Sequence, residues 1–316
     1  VQRPCTGPAG RIENAQVAVY LTYATDAGHA FIDRALYLPK SWTTNPDRCT
    51  DAAIPTTTVF ATKPALATTM IGRALGAGVK ARWVAGDEVY GADPSLRKDL
   101  ERRGVGYVLA IGCDRRVSTP AGVLRADGVA ARLPKHVWQR LSAGAGAKGH
   151  RYYDWAFADI DTDEPDGCRW LLFRRHRTTG ELAFYRRYSP QPVPLRILVK
   201  VAGRRWTVEE SFQTGKGLTG LDQHQVRRWT SWHRWTILAM LAHAFLAVVA
   251  SAERITEPAT AGWVSLTCNE IHHLLTTLVS RPVLDVAHRL RCSRWRRRHQ
   301  YRAQQGHYQR QSTREP

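Results

Sequence analysis

Between residues 16 and 112 the chain alternates apolar runs with turn signals in an order that few folds accept. Residues 16–24 read as a buried strand, Asp26-Ala27-Gly28 as a turn, and residues 29–38 as a returning strand. Two strands joined by a short Gly turn make an antiparallel hairpin. Residues 64–78 then carry Leu66, Met70, Ile71 and Leu75 at helical spacing. Trp83-Val84-Ala85 is a short strand running into Gly86-Asp87. Asp93-Pro94 is an N-cap and N1 pair that opens a helix through Leu96, Leu100 and Arg103 to Gly104. Residues 107–111 are another strand. Strand, strand, helix, strand, helix, strand is an α/β mixture. In parallel sheets polar chemistry gathers at the C-terminal strand ends, and Asp87 stands at such an end.

The rest of the chain sets limits on partners. Its 316 residues, 43% of them hydrophobic, can form a sizeable core. The net charge is +19, from 46 Lys plus Arg against 27 Asp plus Glu. That excess concentrates polyanions around the protein, with nucleic acid the first candidate and an anionic membrane surface the second. The six cysteines are scattered and form no C-x-x-C, so neither a zinc ribbon nor a disulfide framework is indicated. A reducing cytoplasm fits that usage. No apolar leader follows Val1-Gln2-Arg3-Pro4. The longest apolar run, residues 237–250, contains His243 and is too short to span a bilayer, so no membrane partner is expected.

Residues 113–200 change character. Gly, Ala and Arg dominate residues 121–149, which read as a loop or weakly structured passage. Alternating strand-like pieces follow at 151–157, 170–175 and 182–188, a β-rich insertion dense in Arg and Tyr. Next comes the stretch from Arg204 to Lys216. It places Glu209 between two cations, Arg205 four residues before it and Lys216 seven after it, all on one face of a helix. Val208, Phe212 and the Trp206 indole are expected to seat that segment on a core. Gly215, Gly217 and Gly220 end it. Residues 226–253 form a long apolar helix and residues 266–280 a further one. From residue 291 the chain is a basic tail, expected to be disordered.

A lone acid between two bases suits a place where a metal and a phosphodiester meet, the carboxylate holding the metal and the cations the phosphate oxygens. The plain alternative is a solvated helix with an i,i+4 Arg–Glu pair. Asp87 admits the same two readings, a metal ligand at a strand end or a turn Asp that caps a loop. Gly215-Lys216 is not a phosphate loop, because position 210 is Glu and position 217 is Gly. Trp229, Trp232 and Trp235, beside Arg227, Arg228, His233 and Arg234, could stack on nucleic acid, but a Trp stripe at helical spacing is more often core. His272-His273 reads as structural.

These residues resemble bacterial insertion-sequence transposases of the DDE superfamily. Residues 83–91, Trp83-Val84-Ala85-Gly86-Asp87-Glu88-Val89-Tyr90-Gly91, are similar to the family's second-Asp motif. Arg205, Glu209 and Lys216 match the spacing of its third-acid signature, Tyr, two residues, Arg, three residues, Glu, six residues, Lys. Ala202 stands where that signature has Tyr. Residues 36–42, 60–64 and 220–227 also resemble the insertion-sequence 701-like group. The resemblance implies a ribonuclease H-like fold, with a β-rich insertion before the helix that carries the third acid and a helical C-terminal part. With the resemblance covering residues 1 to about 250, the catalytic domain is expected at 1–112 and 201–253 and the insertion at 113–200; the residues beyond read as a helical segment at 254–290 and the basic tail at 291–316. The resemblance also implies cut-and-paste DNA transposition with Mg2+ (or Mn2+), double-stranded transposon ends and target DNA as partners, and a homodimer on DNA. Asp87 and Glu209 would be the catalytic metal ligands, with Arg205 and Lys216 at the phosphates. Arg204, Arg205, Lys216, His224, Arg227 and Arg228 would contact DNA. The first acid belongs on a first strand that this sequence lacks. Asp26 in the turn and Asp33 on the second strand do not replace it, so a truncated copy is expected. Two other readings stay open: an inactive DNA-binding remnant and a stand-alone structure-specific nuclease.

Overall fold

The computed structural model describes residues 5–6, 11–12, 15–146, 149–160, 167–225, 227–256 and 265–279, with single helical positions at 287, 291, 294, 295, 298 and 302. The chain divides into two compact units, Val1–Cys268 and Asn269–Pro316.

The first unit is mixed α/β. Short strands β1 (Cys5–Thr6) and β2 (Arg11–Ile12) pair with each other. β3 (Val17–Ala24) and β4 (His29–Tyr37) form the expected antiparallel hairpin, with a register shift between Leu21 and Thr22. Two short helices follow, α1 (Lys40–Thr43) and α2 (Pro46–Asp51), where a polar loop was expected; Asn45 caps α2 by accepting from the Arg48 amide. α3 (Lys63–Gly76) is capped by Thr62, whose hydroxyl accepts from the Ala65 amide, with Pro64 in its first turn. β5 (Trp83–Gly86) leads into α4 (Glu88–Gly91), then α5 (Pro94–Arg102) and β6 (Gly106–Ile111).

The described part of residues 121–149 is built of regular elements, contrary to the loop reading. β7 (Arg116–Thr119) and β8 (Gly122–Arg125) make a hairpin, α6 (Ala126–Ala131) follows, and β9 (Gln139–Gly146) joins the main sheet. Their small residues hide the signal. Ala126, Val129, Ala130 and Ala143 are buried, and packing by small side chains leaves no periodicity to read. β10 (Gly149–Asp159), β11 (Cys168–Arg175) and β12 (Leu182–Ser189) fall where strands were expected.

One six-stranded mixed sheet runs β5-β6-β12-β11-β10-β9. β5 and β6 are parallel and all other neighbours antiparallel. The strands between residues 139 and 189 therefore extend the sheet begun by β5 and β6. Helix α7 (Leu195–Arg204) covers one face, where Leu198, Val199, Val201 and Ala202 pack on Val108, Trp155, Leu172 and Tyr185. Its first six residues, 195–200, are helical although they fall inside the expected β-rich insertion. α7 sits close because Gly203 has no side chain: a Cβ there would lie 1.8 Å from the Ala143 carbonyl oxygen. On the other face Ile71 of α3 and Leu96 and Leu100 of α5 pack on Tyr107 and Leu109.

α8 (Thr207–Thr219) and α9 (Trp229–Thr256) complete the unit. Gly220, in the left-handed region at φ 66°, ends α8. Tyr20, Phe31 and Phe212 stack with ring centroids 4.9–5.2 Å apart and join the hairpin to α8. The Trp expectations hold in part. Trp232 is buried, but Trp235 and Trp206 are 36% and 48% exposed, so Trp206 does not anchor α8. The anchors are Val208 and Phe212. α9 is long and apolar enough to cross a membrane by length and composition, unlike its central run taken alone. It is also the core helix of this unit, with Thr236, Ala239, Met240, His243, Leu246 and Ala250 buried.

In the second unit α10 (Cys268–Leu274, its first residue at the boundary) continues as a π-helical turn over Leu275–Val279. His272 and His273 lie on α10. In the basic tail, Arg291, Arg294, Trp295, Arg298 and Arg302 are helical, and its other positions lie outside the described residues.

Candidate active site

An open cleft of about 730 Å³ separates the β3–β4 hairpin from the six-stranded sheet. Consecutive residues of β3, Tyr20 to Ala24, and all of β5 line it. Side chains alternate across a strand, so consecutive lining residues mean that each strand presents its edge. Among the described residues β3 pairs only with β4, and β5 only with β6. Ile71 and Leu75 of α3 form one wall, and Val201, Val208 and Phe212 of α7 and α8 the other. The cleft is a gap in a sheet layer between two helical layers.

Asp87 and Glu209 both line this cleft. Asp87 ends β5 and caps α4, its Oδ1 accepting from the Val89 amide at 2.9 Å. α4 can turn back onto the sheet because Gly91 lacks a side chain; a Cβ would meet the Ala110 carbonyl oxygen at 1.8 Å. Glu209 lies in the first turn of α8, where a carboxylate is favoured by the helix dipole. Arg205 donates to its Oε1, while Oε2 is sealed from solvent and has no hydrogen-bond partner. Thr22 Oγ1, on the facing strand, is likewise buried and unpartnered.

The expected basic residues separate into groups. Arg204 and Arg205 line the cleft, joined by Lys200, which sequence reasoning missed. Lys200 and Arg204 both bind Asp26 in the hairpin turn, Lys200 at 2.8 Å. The hydrogen bond from Lys200, with the charge of both cations, holds the Asp26 carboxyl below the usual range. Asp33 is held by Arg73 at 2.7 Å. Both acids set aside in the sequence are thus engaged in ion pairs.

Arg205 pairs with Glu209 four residues on, as its spacing leads one to expect, and Lys216 stands seven residues after Glu209 on α8. Arg205 caps the C-terminus of α7 and precedes α8, because the chain turns between two helices there. Lys216 is exposed two turns down α8, with its ammonium 6.0 Å from the Phe212 ring centre, and is not among the cleft-lining residues. Arg227 and Arg228 line a separate small pocket with Trp42, Trp229 and Trp232. His224 contacts the Ser231 hydroxyl at 3.2 Å, and burial lowers its pKa.

His29 Nδ1 lies 2.8 Å from Ser211 Oγ, and its Nε2 lies 3.3 Å from Glu210 Oε2. The contact pins the hairpin to α8 two residues beyond Glu209. Nothing in the local sequence links positions 29 and 211, so this support could be found only in three dimensions.

Among the described residues no group of three or more His, Cys, Asp or Glu side chains is placed to hold a metal ion. The orphaned Oε2 of Glu209 nevertheless fits a cation, since a buried carboxylate oxygen without a donor is costly. Mg2+ commonly takes only one or two protein carboxylates, with water and substrate oxygens completing its shell.

Residues 1–143 match the family model of the DDE superfamily endonucleases. Asp87 lies inside that match, whereas Arg205, Glu209 and Lys216 lie beyond it. No curated protein matches the chain.

Proposed function

We propose that this chain carries the catalytic domain of a cut-and-paste DNA transposase with a ribonuclease H-like fold. The observation that carries the proposal is the convergence on one cleft of Asp87, from the segment matching DDE superfamily endonucleases, and Glu209, with its unpartnered Oε2. In this reading Asp87 and Glu209 hold a divalent cation, Mg2+ or Mn2+, with a third carboxylate on an extended segment between the edges of β3 and β5. When bound, the cation activates water and neutralises charge at the scissile phosphate. Arg205 orients Glu209 and, with Arg204 and Lys200, draws the DNA backbone to the cleft. Lys216, Arg227, Arg228 and His224 contact DNA farther from the chemistry. The protein acts in the cytoplasm, on transposon ends and target DNA.

A second reading is a DNA-binding remnant without catalysis. It rests on the two carboxylates, rather than three, that the described residues bring to the cleft. Incubation of the protein with supercoiled plasmid and Mg2+ separates the two. Nicked and joined products, lost in Glu209→Gln, support the transposase. Nicks without joined products point to a stand-alone nuclease. Salt-sensitive DNA retention without any cleavage supports the remnant and sinks the catalytic reading.

A further inference from the structure

α9 is apolar on two opposite faces. One face is buried within the unit: Trp232, Thr236, Ala239, His243, Leu246 and Ala250. The other is exposed: Leu238 at 64%, Leu241 at 64%, Phe245 at 51%, Val248 at 66% and Ile255 at 74%, with Ala252 also exposed. The steps 238, 241, 245, 248, 252, 255 alternate three and four residues. That is the seam of a helix that packs knobs-into-holes against another helix. It runs over the 18 residues 238–255, about 26 Å at 1.5 Å of rise per residue. The only titratable group between Trp235 and Ala252 is His243, which is on the buried face.

From this geometry we propose that the exposed seam of α9 is a self-association surface, and that its occupant is α9 of a second copy of this chain. The seam is its own complement, so a two-fold axis buries the same residues on both sides. Five large apolar side chains, each at least half exposed, present on the order of 500 Å² per chain, at the upper end of patches on monomers. Two such faces bury about 1,000 Å², the size at which specific interfaces begin. Lipid is the weaker candidate for that face. The opposite face of α9 is packed on Phe31 of β4 and Leu221, so lipid cannot surround the helix. Interfacial helices carry Lys and Arg along a polar face, and α9 has none between Arg234 and Arg254.

The test is the solution mass of the full chain by light scattering and sedimentation equilibrium, without DNA, over micromolar concentrations. The unsubstituted chain is expected to be a dimer. Leu241→Glu and, separately, Val248→Lys are each expected to weaken it by roughly 30-fold or more. Both positions are exposed, so far-ultraviolet circular dichroism and melting temperature serve as the check on folding. If one variant misfolds, the other still decides. A monomer at every concentration, or a dimer indifferent to both substitutions, overturns the proposal. So does binding to phospholipid vesicles that the substitutions abolish, since lipid would then be the occupant.

Discussion

Asp87 is held by its own neighbourhood, at a strand end where its Oδ1 takes the amide two residues on. Glu209, across the same cleft, depends on parts distant in sequence. Its helix is fixed by the Tyr20–Phe31–Phe212 stack and the His29–Ser211 contact, and one of its oxygens has no partner. A residue positioned by its neighbours carries a local sequence signature and tolerates change elsewhere. A residue positioned by packing depends on distant positions as well, even where, as for Glu209, its spacing to Arg205 and Lys216 can be read in the sequence. The match to DDE superfamily endonucleases, over residues 1–143, includes Asp87 and not Glu209.

The largest expected effect tests whether the two acids work as a pair. In the catalytic reading, Asp87→Asn and Glu209→Gln each lower Mg2+-dependent plasmid cleavage by about 100-fold or more. DNA retention in a mobility-shift assay is expected to stay within about threefold, since neither substitution removes a phosphate-binding cation. Loss of cleavage from only one of the two would break the pairing.

Remote support is tested at Gly203. Gly203→Val drives side-chain atoms into the Ala143 carbonyl and is expected to cost about 3 kcal/mol in urea unfolding. A change under 1 kcal/mol would mean that α7 shifts freely, and that the Arg204–Arg205 junction is not fixed by packing.

His243 lies on the Glu209 side, its ring 5.5 Å from that of Phe31. Burial, with a smaller contribution from His29, holds its pKa down to about 4. The unfolded imidazole takes a proton near 6.5, so the unfolded state binds more protons between these values. The stability that the neutral ring contributes is complete above pH 6.5 and is lost as pH falls toward 4, by about 2–3 kcal/mol. Denaturant titrations at pH 7 and pH 4.5 check this, and His243→Leu is expected to flatten the difference. An unchanged slope in that variant would assign the acid sensitivity elsewhere.

Arg205→Met removes the donor to Glu209 Oε1 and is expected to destabilise by about 1 kcal/mol, because the pair is partly solvent-exposed. Combining it with Glu209→Gln should recover part of that loss in a double-mutant cycle; strict additivity would show that the pair is not coupled. The smallest effect is at Asp87. Asn caps a helix as well as Asp does, so Asp87→Asn leaves the melting temperature nearly unchanged, whereas Asp87→Ala costs about 1 kcal/mol.

The sequence by itself determined the elements whose signals are local. The hairpin follows from two apolar runs around Asp26-Ala27-Gly28, α5 from Asp93-Pro94, and the end of α8 from Gly220. Asp87 at a strand end was legible for the same reason. Residues 116–146 were not, since cores built from Ala, Gly and Val leave no period to follow. Nor was the break between α7 and α8, because the run through Arg204 and Arg205 has continuous helical spacing and only the close approach of Gly203 to Ala143 shows where α7 packs. Tertiary structure alone decided which cations face the cleft, bringing Lys200 in and leaving Lys216 out. It also decided that α9, apolar all round in sequence, buries one seam and exposes the other. Helical periodicity places residues on faces, but only the packing of the hairpin and α8 against one of those faces selects which is core.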